Sequence, residues 1–253
     1  MRIVSLCPSL TELVFDLGLE DQLVGRTKFC VHPEGRVEAI EKVGGTKNPK
    51  IERIVELAPD LVLLNEEENR AEDAEALVAA GLRCHTSMPV SVPDTAEMVR
   101  SIGRAVERTE AAEAIAADIE RRAARVRAAA EHLPSVRYVY LIWREPIMTV
   151  NDDTFVASLL GLAGGVNVFG DTGARYPTIT AEDLAAADPN GVFLSTEPFP
   201  FDEKYRDELV EATGLPIERF HVVDGELLSW HGSRTPAGID YAEAVIDALR
   251  ARL

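Results

Sequence analysis

From Asp94 to His132 the chain carries no proline and a single glycine, Gly103. Apolar residues recur along it at Met98, Ile102, Val106, Ile115, Ile119, Val126 and Ala130, the spacing of one helical face. At about 1.5 Å per residue this predicts roughly 55–60 Å of helix, with room for a break near Arg108–Thr109 and a stop at Pro134. So long a rod bridges structural units. The expected division is an N-terminal lobe over 1–93, a linking helix over 94–134 and a C-terminal lobe over 135–253.

Both flanks alternate short apolar runs with helical patterns. In the first, Ile3–Leu6, Leu23–Gly25, Leu61–Leu64 and Arg83–Thr86 read as strands. Ser9 is placed to cap a helix over Leu10–Leu17, with Glu12 at the reciprocal position. In the second, Tyr138–Trp143, Val192–Leu194 and Phe220–Val223 read as strands, and Pro236–Leu253 as a closing helix. Ile54–Leu64 parallels Leu184–Leu194: each is a helix, a proline turn and an apolar strand. The prediction is an α/β fold of two similar lobes, each around a mainly parallel sheet, joined by a single long helix.

A net charge of −17 disfavours nucleic acid, whose phosphates need Lys and Arg. Three cysteines at irregular spacing suggest no disulfide framework, although Cys30 falls in a loop that can line a site. There is no GxSxG, P-loop, GxGxxG or HExxH motif, and no two of the five histidines stand three or four residues apart. The chain enters its first strand at once, without an apolar leader, which reads as cytoplasmic, or as periplasmic where a leader has been removed.

Ligands of open α/β sheets bind outside the carboxyl ends of the strands. Those ends carry Cys7-Pro8-Ser9, Trp143-Arg144-Glu145, Ser195 to Phe201 including Glu197 and Phe199, and Trp230-His231 through Arg234. Both tryptophans of the chain fall there. Trp143 reads as a ligand surface or a strand plug, and Arg175-Tyr176-Pro177 as a cleft rim or a loop packed on the next helix. Glu66-Glu67-Glu68 reads as a solvated acidic face or as a docking surface for a basic partner.

Ser5-Leu6-Cys7-Pro8-Ser9-Leu10-Thr11-Glu12-Leu13, Val24-Gly25, Val43–Thr46, Ile51–Val62 and Gly164–Phe169 resemble the helical-backbone (class III) periplasmic substrate-binding proteins of ABC importers, and within them the cobalamin-binding members. The resemblance implies a non-catalytic clamp of two lobes with limited hinge motion. Its ligand would be a metal chelate, cobalamin or another corrinoid first and a siderophore or heme second, with no intrinsic cofactor. It implies a monomer that docks an ABC permease through Glu66, Glu67 and Glu68. Carried onto this chain, the ligand contacts are Pro8, Ser9, Phe29, Thr46, Lys47, Trp143, Arg144, Tyr176, Glu197, Phe199, Trp230, His231 and Arg234. His231 would meet the metal of a bound chelate. The competing reading is a cytoplasmic enzyme or accessory factor for cofactor or metal handling, with Trp143-Arg144-Glu145 and Glu197 as acid–base groups.

Overall fold

The computed structural model describes residues 1–253. The chain forms β1 (Ile3–Ser5), α1 (Pro8–Asp16), β2 (Leu23–Arg26), α2 (Ile51–Glu56), β3 (Leu61–Asn65), α3 (Ala71–Ala79), β4 (Cys84–Ser87), α4 (Val92–Ala105) and α5 (Thr109–Ala130). It continues with β5 (Val136–Leu141), α6 (Phe155–Leu162), β6 (Gly165–Asn167), α7 (Ala181–Ala187), β7 (Gly191–Ser195), α8 (Glu203–Thr213), β8 (Phe220–Val223), α9 (Gly225–Ser229) and α10 (Thr235–Arg250). Two four-stranded parallel sheets result, ordered β2-β1-β3-β4 and β6-β5-β7-β8. Their central strands are buried on both faces, which is why they read as unbroken apolar runs. Val4, Leu6, Val62 and Leu64 fill one face of the first sheet; Val139, Leu141, Val192 and Leu194 do the same in the second.

The internal repeat extends to single hydrogen bonds. Ala58 and Asp188 both take left-handed backbone before a proline, with φ of 45° and 43°. Asp60 then accepts the Arg2 amide at 2.7 Å, and Asn190 accepts the Arg137 amide at 2.8 Å. The guanidinium of Arg2 caps the Leu57 carbonyl as that of Arg137 caps Ala187. In each unit one arginine and one Asx residue clasp a helix end to the start of a central strand, satisfying carbonyls the helix leaves open.

The compact units divide otherwise than expected. One holds Met1–Pro89, Asp94–Ala117 and His231–Arg234; the other holds Val90–Pro93, Asp118–Trp230 and Thr235–Leu253. The linking segment is therefore no unit of its own. The break allowed for near Arg108–Thr109 is present: α4 and α5 part at Glu107, whose φ is 59°. Gly103 lets the two helices approach closely beside the break, since a Cβ there would lie 2.2 Å from that of Ala112. Beyond the break, Arg125 of α5 pairs with Asp240 and Glu243 of α10 within the second unit.

The expected cap of α1 also differs. Cys7 is the N-cap residue, Pro8 opens the helix, and no side chain caps it. Ser9 lies one residue inside the helix, and Glu12 is engaged elsewhere.

Candidate functional site

In the first unit the strand ends are tied together by asparagines. Asn65 closes β3, and its Oδ1 accepts the amides of Glu67 (2.9 Å) and Glu68 (3.2 Å). That fixes its Nδ2 as the donor to His231 Nε2 at 3.0 Å. The Nε2 atom is then the acceptor of a neutral imidazole, and Nδ1 carries the proton, 3.5 Å from Ser9 Oγ. Asn69 accepts the Asn65 amide at 2.9 Å and donates to the carbonyls of Leu6 and Thr46, both at 3.0 Å. The acidic turn at 66–68 is thus rigidly held, with Glu66 and Glu68 exposed. Lys47 donates to the Glu67 carbonyl. Phe29 stands 50% exposed, its ring edge across Gly45.

Several expected contacts are turned inward. Ser9, Thr46 and His231 are buried, so none offers a free face. His231 is no metal ligand: it is 5% exposed with both ring nitrogens engaged, and burial pushes its pKa down to about 4. Arg234 is consumed by Glu12 in a two-pronged pair, both contacts at 2.8 Å. Cys30 lines no site either. Its sulfur is buried 3.0 Å from the Thr11 hydroxyl, and desolvation raises its pKa.

In the second unit Trp143 follows β5 and is 41% exposed, its indole N–H donated to the Glu145 carbonyl at 3.1 Å. A small ribbon supports it. Trp143 bridges Met148, Met148 bridges Thr178, and Thr149 donates to the Pro177 carbonyl at 3.0 Å. The ribbon carries Tyr176, 40% exposed. Phe199 meets Trp143 edge-on at 5.7 Å and packs on Phe201 and Tyr205. Arg144 stacks over Tyr205 and donates to Glu208 at 2.7 Å. Trp230 belongs to this same unit and is only 8% exposed; its indole donates to Glu197 at 2.7 Å. The two tryptophans therefore do not share one open surface. One is a rim residue and the other a buried prop for Glu197.

A family model described as periplasmic binding protein matches residues 3–213. The chain belongs to the periplasmic binding protein family. A vitamin B12-binding protein of Vibrio vulnificus is 26% identical over 239 residues, covering 94% of this chain and 87% of that protein. Among solved structures, the periplasmic vitamin B12-binding protein of Vibrio cholerae superposes with a TM-score of 0.85 at 23% identity, over 98% of this chain and 97% of that one. The apo periplasmic heme-binding protein of Roseiflexus sp. RS-1 gives 0.84 at 24%, over 98% of each chain. These relatives overturn the cytoplasmic expectation: family members similar to this chain are periplasmic, and that is the location they point to. Entry into a strand at the first residues was no guide to compartment.

Of the expected contacts, the structure leaves Phe29, Trp143 and Tyr176 with open aromatic faces. It brings Trp143 and Phe199 together and ties Glu197 to Trp230. Sequence reasoning missed Asn65, although two asparagines four apart at the end of a buried strand are a usable signal for a hydrogen-bonded turn. It also missed Tyr205 and Glu208, which lie on α8 and reach Arg144 only through the fold.

Proposed function

We propose that this chain binds a flat metal chelate without catalysis, a corrinoid such as cobalamin first and heme second, as the substrate-binding component of an ABC-type uptake system. One observation carries the reading. The only large aromatic side chains among the exposed hydrophobics are Phe29, Trp143 and Tyr176, and all three stand in loops that follow strand carboxyl ends. Flat, rigid rings give large contact area at low entropic cost, which suits a macrocycle. The vitamin B12- and heme-binding relatives support the same ligand class. The acid–base alternative finds no support, because the Glu197 carboxylate is held by Trp230 and Arg144 by Glu208. The exposed Glu66 and Glu68, on their braced turn, are the face we assign to the permease.

Absorbance and calorimetric titration with cyanocobalamin, cobinamide and hemin tests the proposal. Saturable binding of at least one is expected. Trp143→Ala should weaken it by about 2 kcal/mol, near thirtyfold, with an unchanged melting temperature because the ring is not a core residue. Silence with all three ligands, or unaltered affinity in the variant, would sink it.

A further inference from the structure

Arg26 is the last residue of β2, at the edge of the first unit's sheet, and only 2% of it is exposed. An arginine taken this far out of water is normally paired with a carboxylate. This one gives all three of its side-chain hydrogen bonds to main-chain carbonyls. Nε donates to Val37 at 2.9 Å; Nη1 donates to Thr27 at 3.2 Å and to Cys30 at 2.9 Å. Carbonyl dipoles offset the desolvation of a full charge less well than a counter-ion does. Burial of this guanidinium is therefore a poor device for stability, and the carbonyls it gathers indicate another use.

Those carbonyls belong to one feature. Thr27 and Cys30 bracket Lys28 and Phe29, and Cys30 and Val37 bound the excursion over 31–36. Thr27 and Cys30 are fully buried, while Lys28 and Phe29 between them are exposed. The rest of the turn is pinned as well. The Lys28 amide donates to the Gly44 carbonyl at 2.8 Å, the Phe29 amide to the Thr27 hydroxyl at 3.3 Å and the Cys30 amide to the Thr27 carbonyl at 3.2 Å. The Cys30 sulfur lies 3.1 Å from that Thr27 hydroxyl and 3.0 Å from the Thr11 hydroxyl on α1. Gly45 completes the seat, since a Cβ there would come within 3.3 Å of the Phe29 ring. An exposed apolar ring thus stands on backbone that is held at every neighbouring residue. Loops that carry binding residues are usually more mobile than this, and ordering them on binding lowers affinity.

We propose that Arg26 is a positioning residue for ligand binding: buried beneath the turn over 27–30, it fixes that turn so that the Phe29 ring already stands in its binding pose in the free protein. The proposal rests on the reading of Phe29 as a chelate contact. Lysine cannot take the place of Arg26, because a point charge on a flexible stem does not reproduce a planar fork that reaches three carbonyls.

Arg26→Lys, Phe29→Ala, the two combined, and Arg26→Lys with Trp143→Ala test it in the intact protein. Affinity is read by titrating whichever of cyanocobalamin, cobinamide and hemin the wild type binds. Phe29→Ala should weaken binding about tenfold, and Arg26→Lys should weaken it to a similar degree. Once Phe29 is removed, Arg26→Lys should change affinity by less than about twofold, whereas its effect should multiply in full with that of Trp143→Ala in the other unit. Chymotrypsin cleavage after Phe29 in the native, ligand-free protein is the second readout. The wild type should resist it despite the exposed ring, and Arg26→Lys should be cut there about tenfold faster, well below its melting temperature. Where Arg26→Lys does not fold, hydrogen exchange in the wild type decides, and the amides of Lys28, Phe29 and Cys30 should be protected. Equal cleavage of the variant and the wild type, free exchange of those amides, or losses from Arg26→Lys and Phe29→Ala that multiply in full overturns the proposal. If none of the three chelates binds, the ligand reading fails by itself, and cleavage still decides whether Arg26 holds the turn.

Discussion

Lowering the pH from 7 to 4 is expected to remove about 3 kcal/mol of folding stability through His231 alone. Its imidazole is buried against the Ser9 hydroxyl and the Asn65 amide. Desolvation holds its pKa near 4 in the folded chain, against about 6.5 when unfolded. Between those values the unfolded chain takes up a proton that the folded chain refuses. The stabilisation is therefore complete above about pH 6.5 and is lost as the pH falls toward 4. An imidazolium would also lose its acceptor for the Asn65 amide, which Glu67 and Glu68 prevent from turning round. Urea denaturation at pH 7.0, 5.5 and 4.5 in the wild type and in His231→Gln measures the effect as a difference, because His85, His221 and the carboxylates are common to both. The variant should be less stable at neutral pH and lose less on acidification. Parallel losses in the two proteins would show that His231 is not the group responsible.

Legibility in the sequence followed the range of the interaction. The central strands were readable because parallel strands buried on both faces become short apolar runs, and the helix–proline–strand repeat was readable because its signals are adjacent in the chain. Its deeper identity, the matched clasps of Arg2 with Asp60 and Arg137 with Asn190, was not, since each joins residues more than fifty apart. β6 escaped notice because it is three residues long and begins with Gly165; α9 escaped because a single helical turn after Asp224 resembles a loop. The break in the linking helix was legible near Arg108–Thr109; what was not legible is that Gly103 stands where α4 closes on Ala112 beside it. At the candidate site, position predicted exposure well for Trp143 and Tyr176. It failed for Trp230, Ser9 and Arg234, whose partners Glu197, His231 and Glu12 lie 33 to 222 residues away. A polar residue at a strand end has the same appearance whether it faces a ligand or satisfies a distant buried group.

The Glu12–Arg234 pair gives the second large expected effect. Both side chains are mostly buried, at 18% and 16% exposure, and the guanidinium meets both carboxylate oxygens at 2.8 Å. Such planar, two-pronged contact is beyond lysine and holds Arg234 on α1 within the first unit. Asp16, one turn along α1, is raised by desolvation; Glu12 adds to the rise, and Arg234 opposes it. Arg234→Met therefore leaves the Glu12 carboxylate unpaired and takes from Asp16 one of the two arginines that oppose its rise. The expected loss is about 3 kcal/mol, seen as a lower urea midpoint at unchanged slope. Glu12→Gln, which strands the guanidinium instead, should cost a similar amount. Glu12→Gln combined with Arg234→Met removes both charges and should cost much less than the two single losses added together, because most of each penalty is an uncompensated charge and little is the net worth of the pair. Simple additivity in that cycle would mean that the two side chains are effectively solvated and that packing alone holds the segment in place.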